Sequence, residues 1–139
     1  MVENTKLLVF KEFSDAVGAL IPLESLKEIP FAVKRIYYIY GVPKGITRGF
    51  HSHKLLEQVL ICVHGSVKIR IKTFYEEDIV ALDSPDKGLF IGPMVWREMF
   101  EFTDDAVLLV LASEYYTELD YIRDFNSYLD AAKVYFKKS

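Results

Sequence analysis

A chain of 139 residues, 51% of them hydrophobic, is long enough for one domain with its own buried core. Its 17 Lys and Arg against 20 Asp and Glu leave a formal net charge of -3, so it lacks the basic stripe that would neutralise nucleic-acid phosphates. The first ten residues lack the basic start and long apolar stretch of a signal peptide, and the longest apolar run, 106–112, is too short to span a bilayer. A cytoplasmic protein that engages neither membrane nor nucleic acid is expected.

In chain order, segments rich in β-branched and aromatic residues predict strands over 7–10, 19–22, 33–40, 49–53, 58–63, 66–72, 79–82, 89–91, 96–102 and 107–112. Turn residues separate them: Pro43, Lys44 and Gly45 in one link, His64 and Gly65 in another, and the polar stretch 83–88 in a third. Short strands at this regular spacing predict an all-β barrel or sandwich. The period then changes. Ile122, Phe125, Leu129, Ala132 and Phe136 recur at spacings of three and four, which predicts a C-terminal α-helix over about 119–137. Asp120 at its start and Lys137 with Lys138 at its end suit the helix dipole. Without a linker, repeat or low-complexity segment, residues 1–139 read as a single domain.

Some reactive side chains have plain structural readings. Cys62 lies inside the apolar run 59–63 and reads as a buried thiol, while His64 beside Gly65 reads as a turn residue. Lys68, Arg70 and Lys72 alternate along one strand, either as a solvated outer face or as part of a phosphate site.

The segment Gly45 to Glu57 carries more chemistry. Side chains alternate on a strand, so His51 and His53 face the same way, and Leu55 and Glu57 follow if the strand continues without a bulge. Gly45, five residues, His51, one residue, His53, three residues and Glu57 together resemble the first motif of the cupin superfamily, whose fold is a double-stranded β-helix (jelly-roll) barrel. In metal-binding cupins those three side chains join a histidine from a second motif. Here that motif reads Gly92-Pro93-Met94-Val95-Trp96-Arg97, and a guanidinium, which has no lone pair to donate, stands about where the third imidazole would be. The expectation is no metal. A metal-binding or non-catalytic cupin stays open as an alternative, because two imidazoles and a carboxylate are a ligand set that zinc accepts.

Arg48-Gly49-Phe50-His51 also resembles the Arg-Gly-Leu-His signature of the dTDP-4-keto-6-deoxyglucose 3,5-epimerases, in which that histidine is the base. A longer resemblance runs through Lys34-Arg35-Ile36-Tyr37-Tyr38-Ile39, 48–54, Leu56-Glu57-Gln58-Val59-Leu60, Gly92 to Trp96, Ala112-Ser113-Glu114-Tyr115-Tyr116 and Asp120-Tyr121-Ile122-Arg123. Over nearly the whole chain it is similar to the sugar 3,4-ketoisomerases.

That resemblance implies a homodimer, no cofactor, and a reaction that moves the ketone of dTDP-4-keto-6-deoxyglucose from C4 to C3 ahead of amination. A neutral imidazole suits removal of the C3 proton, which the C4 ketone acidifies. By analogy with the epimerases His51 is the expected base and His53 its partner acid or shuttle, with the reverse assignment open. Arg48 is the expected clamp for diphosphate or enediolate, with Arg35 either sharing that duty or lying on the surface. Of the adjacent Tyr37 and Tyr38 only one can face the interior, and Tyr37 is the expected one. Glu57 is expected to orient a histidine or to serve as a structural acceptor. Arg97, where relatives with a galacto product carry histidine, resembles the type whose product has the gluco configuration. Val17 departs from the arginine or tyrosine expected there, which leaves the galacto product open, as the epimerase reading also is.

Overall fold

The computed structural model describes residues 1–137 and is built from twelve strands and one helix. The strands are β1 Thr5–Val9, β2 Phe13–Asp15, β3 Gly18–Leu20, β4 Arg35–Tyr40, β5 Arg48–His53, β6 Gln58–His64, β7 Val67–Lys72, β8 Glu77–Leu82, β9 Lys87–Ile91, β10 Trp96–Phe100, β11 Val107–Ala112 and β12 Tyr121–Ile122. One antiparallel sheet runs β1-β9-β6-β11-β4 and the other β12-β5-β10-β7-β8, while β2 and β3 form a separate hairpin. Two five-stranded sheets with this crossed-over order are the jelly-roll barrel that the cupin resemblance implies.

The core follows from alternation. On β7 the residues Val67, Ile69 and Ile71 are buried, and Lys68, Arg70 and Lys72 point outward to pair with Glu101, Glu98 and Glu77. Burying each isoleucine contributes about 1.5–3 kcal/mol. On β6 both faces are covered, which explains its unbroken apolar run. Leu60 and Cys62 point between the sheets, whereas Val59 and Ile61 join Phe10, Ile29, Phe31 and Leu111 under the segment that wraps the outer face. Burial raises the Cys62 thiol, and its S–H meets the His64 carbonyl at 3.1 Å, so it is a packing residue. His64 sits at the surface with Nδ1 3.0 Å from the Asp105 carbonyl.

The helix, α1, spans Phe125–Tyr135, shorter at both ends than the expected 119–137. Asp124 caps it by accepting from the Ser127 backbone N–H at 2.8 Å. The preceding residues are otherwise engaged: Glu118–Asp120 form a 3-10 turn, and Tyr121 and Ile122 pair with His53 and Ser52 of β5. Ile122 therefore matches the helical spacing but belongs to a strand, and Lys138 lies outside the described residues. The helix docks through Tyr128, fully buried, whose hydroxyl donates to the carbonyls of Met94 and Lys72 at 2.7 and 2.9 Å. Among the described residues no helix is long and apolar enough to cross a membrane.

Candidate functional site

Strand β5 pairs with β10 through a one-residue bulge. His51 lies opposite Arg97, Gly49 opposite Glu98 and Arg48 opposite Met99, which leaves Phe50 without a partner. Gly49 and Phe50 both take positive φ, 98° and 55°. A Cβ on Gly49 would meet the Arg97 carbonyl oxygen at 2.9 Å, so the close approach of the two strands requires glycine. Phe50 holds its conformation at a cost of about 1–3 kcal/mol. The extra residue changes which side chains share a face. Arg48 and His51, three apart, would lie on opposite faces of a regular strand, yet here they line one cleft.

That cleft, about 420 Å³, is bounded by Arg35, Tyr37, Arg48, His51, Tyr121 and Arg123. A second cavity of about 330 Å³ adjoins it across Arg35, Tyr116 and Tyr121, and His53 and Asp120 line this one. Each is of the size at which small molecules bind, roughly 300–1,000 Å³.

The two imidazoles face the same way, as their spacing predicts, with ring centroids 4.9 Å apart and the Tyr121 ring 5.0 and 4.3 Å from them. His51 Nδ1 is 3.1 Å from the Gly49 carbonyl oxygen. A carbonyl only accepts, so Nδ1 carries the hydrogen and Nε2 keeps its lone pair. Burial, then the Arg97 charge, push His51 down to about 4. Burial, Arg97 and His51 push His53, 1% exposed, further down still. Both rings are therefore neutral at pH 7. His53 Nδ1 lies 3.1 Å from Asp120 Oδ2, a neutral imidazole beside a carboxylate rather than an ion pair, and its Nε2 is buried without a hydrogen-bond partner.

Arg97, 1% exposed, stands opposite His51 on the neighbouring strand, behind the residues that line the two cavities. Its guanidinium donates to the Gln58 side-chain oxygen at 2.6 Å and the Val95 carbonyl at 3.1 Å; among the described residues its Nε has no partner and no carboxylate stands within ion-pair distance. Burial lowers it only to about 10, so it stays charged at neutral pH. A buried cation without a counter-ion is costly unless an anion completes the site.

Tyr37 is half-buried and points inward, while Tyr38 is exposed. Burial raises the Tyr37 hydroxyl, which keeps its proton and accepts from Gln58 Nε2 at 3.1 Å. Arg35 lies between the two cavities, its guanidinium 5.3 and 5.6 Å from the Tyr37 and Tyr116 rings and its buried Nε unpartnered. Arg48 is exposed at the rim.

Glu57 lies elsewhere. Strand β5 ends at His53, so the alternation that would carry Glu57 onto the histidine face is broken. The Glu57 backbone N–H donates to the Ser113 hydroxyl oxygen, its carbonyl accepts from the Ser113 N–H, and it makes no hydrogen bond to either imidazole. Gln58, the next residue, turns inward instead, and Asp120 takes the place of the histidine's carboxylate partner. Neither stood out in the sequence: Asp120 reads as a helix-dipole residue, and its link to His53 spans 67 positions. The donor set does not suit a cation. Among the described residues no three His, Cys, Asp or Glu side chains are grouped to hold a metal ion, and the guanidinium of Arg97 repels one.

Comparison with known proteins agrees with this architecture. Residues 3–133 match the model of the family described as FdtA: WxcM-like, C-terminal. The TDP-4-oxo-6-deoxy-alpha-D-glucose-3,4-oxoisomerase of Aneurinibacillus thermoaerophilus is 46% identical over 127 residues, 91% of each chain. A histidine-to-asparagine variant of the 3,4-ketoisomerase QdtA from Thermoanaerobacterium thermosaccharolyticum, solved with TDP-4-keto-6-deoxyglucose, is 56% identical. It superposes with a TM-score of 0.97 over 99% of this chain and 100% of the other. The TDP-quinovose 3,4-ketoisomerase WlaRB of Campylobacter jejuni is 43% identical, with a TM-score of 0.89 over 93% of this chain and 99% of the other. The chain belongs to the FdtA (WxcM-like, C-terminal) family and is one of the sugar 3,4-ketoisomerases.

Proposed function

We propose that this chain converts dTDP-4-keto-6-deoxyglucose to dTDP-3-keto-6-deoxyglucose without a metal or an organic cofactor. The observation that carries this is two neutral imidazoles side by side, with a buried guanidinium on the neighbouring strand that has no counter-ion among the described residues. Such a site offers a base for an acidic carbon and fixed positive charge for the enediolate that follows. The substrate comes from the relatives, one of them solved with TDP-4-keto-6-deoxyglucose.

His51 Nε2 takes the C3 proton, and the electron pair of the C3–H bond forms a C3–C4 double bond as the C4 carbonyl becomes an enolate oxygen. Arg97 stabilises the charge. The C3 hydroxyl proton passes to the C4 oxygen, for which His53 is the shuttle. C4 then receives a proton as the C3–O bond becomes the new carbonyl. His51 then gives its proton to solvent and the proton donor to C4 regains one from solvent, so the sugar keeps its composition and both residues return to their starting state. On a gluco chair the axial hydrogens of C3 and C4 point to opposite faces, so a gluco product needs its C4 proton from the side away from the C3 base. Arg97, always protonated, cannot supply it. Tyr37 can, because its hydroxyl accepts from Gln58 and leaves its own hydrogen free. The identity of Arg97 and the named TDP-quinovose ketoisomerase among the relatives support the gluco configuration.

Arg48 and Arg35 bind the diphosphate; the position of Arg48 at the rim and of Arg35 between the two cavities supports this. Glu57 holds the β5–β6 turn through Ser113 rather than touching substrate. Residues 1–139 act as one cupin domain, and the domain works as a homodimer. Its support is the edge strand β4, which exposes Ile36, Tyr38 and Tyr40, and the protruding β2–β3 hairpin with Phe13 and Leu20.

The reaction followed by NMR in deuterated water, with an aminotransferase to trap the 3-keto product, tests the reading. Carbonyl migration to C3 with deuterium at C4 is expected. Deuterium at C5 with the ketone still at C4 would make the chain a 3,5-epimerase, and stoichiometric metal in the active protein would overturn the metal-free mechanism.

A further inference from the structure

Three buried polar atoms in the described residues lack partners, Arg35 Nε, Arg97 Nε and His53 Nε2, and all belong to residues at the site. Of these His53 is the informative one, because an imidazole nitrogen can carry a hydrogen or a lone pair and the neighbours decide which. Its other nitrogen meets Asp120, and Asp120 is fully committed. Oδ1 accepts the Leu55 backbone N–H at 2.9 Å, and Oδ2 accepts the Leu56 N–H at 3.3 Å as well as facing His53 Nδ1 at 3.1 Å. The Asp120 carbonyl also accepts the Lys54 N–H at 2.9 Å, and Tyr121 pairs with His53 across β12 and β5. The carboxylate is therefore locked against the turn that follows the histidine strand, with acceptor capacity alone to offer.

We propose that Asp120 is a positioning residue of the reaction: it holds His53 in the Nδ1–H tautomer, with the Nε2 lone pair turned towards the substrate. The inference rests on the ketoisomerase reading for its role and on geometry for the tautomer. A His53 that begins the cycle with a free lone pair accepts the C3 hydroxyl proton and returns it to the C4 oxygen. The opposite tautomer would begin as a donor with nowhere to place a second proton. His51 is set in the same tautomer by the Gly49 carbonyl, so two neighbouring rings start as acceptors by two separate devices, one a peptide oxygen and one a carboxylate. The peptide oxygen cannot be removed by a side-chain change. The carboxylate can.

Long-range 15N–1H NMR of the imidazoles in the full chain reads the tautomer directly. The expected spectrum shows His53 Nδ1 as a protonated nitrogen and Nε2 as an unprotonated one. In D120N the carboxamide donates to Nδ1, the His53 pattern inverts, and kcat falls by about 10²- to 10⁴-fold while KM moves by less than about twofold. A His53 with protonated Nε2 in the unaltered chain would overturn the proposal, and needs no variant to fold. So would a D120N protein that keeps its kcat and loses only thermal stability, since that is what a turn-holding residue alone would do. The spectrum stands apart from turnover: if the unaltered chain left dTDP-4-keto-6-deoxyglucose unchanged, the function would fall while the tautomer still upheld or overturned the assignment of Asp120.

Discussion

Gln58 holds Arg97 with its oxygen at 2.6 Å and Tyr37 with its nitrogen at 3.1 Å, so one carboxamide sets the direction of the two groups to which the proposed mechanism assigns the enediolate charge and the C4 proton. Replacing Gln58 by glutamate separates holding from directing. A carboxylate keeps Arg97 and adds a counter-ion, but it cannot donate to Tyr37, whose hydroxyl turns to donate to it instead. Q58E is expected to match or exceed the parent in thermal stability and to lose about 10²-fold in kcat. Melting curves beside steady-state kinetics check this, and a Q58E protein with parental kcat would remove Tyr37 from the proton path.

Arg97 gives the complementary case. An apolar residue of similar length removes a buried charge that lacks a carboxylate, so R97M is expected to leave stability unchanged or raise it by about 1 kcal/mol or more. The same change strips the enediolate of its fixed cation and lowers kcat by about 10²- to 10³-fold. Denaturant titration with turnover measurement checks both signs.

The histidines give a signed pH response. His51 falls from its ordinary 6.5 to about 4, and His53 is lowered too, so both are neutral when folded and charge more readily when unfolded. The His51 contribution to stability is complete above pH 6.5 and is lost as the pH falls through its folded value of about 4. For His51 the loss reaches up to about 3 kcal/mol. The acid limb of kcat/KM for the free enzyme, read from a pH–rate profile with buffers chosen to keep the protein folded, should lie near 4 and not near 6.5.

The bulge is testable by its two backbone residues. G49A sets a Cβ 2.9 Å from the Arg97 carbonyl and is expected to cost about 2 kcal/mol or more and to abolish turnover. F50G relieves a positive φ on a half-exposed ring, with an expected gain of up to about 1 kcal/mol and activity retained. Thermal melts of the two variants should move in opposite directions.

Dimerisation through the β4 edge predicts that Y38E, which places a charge among Ile36 and Tyr40, yields monomers in analytical ultracentrifugation while the far-ultraviolet spectrum stays unchanged. A Y38E dimer would place the interface elsewhere.

Much of this architecture could be read from residue type and spacing. Within the apolar run 59–63 the residues Val59 to Cys62 are buried on both faces, and the alternation around His51, His53 and Tyr37 places all three inward as expected. Three features could not be read. The Asp120 to His53 contact depends on a chain return 67 positions later, and a helical period starting at Ile122 hides the short strand that makes that return. The hairpin strand β2 carries too few apolar residues to announce itself. Glu57 would follow the histidines only on a strand that ran on past His53; the strand ends there, and alternation says nothing about the path of the turn that carries Glu57 away.

Because Phe50 stands outside the ladder, β5 counts inward and outward positions from two origins, one on each side of that residue. Transplanting the two imidazoles into another barrel would therefore fail if the histidines moved alone. Arg48 would arrive on the wrong side of the sheet, and the graft must carry the supernumerary residue with it, as a splice carries its reading frame.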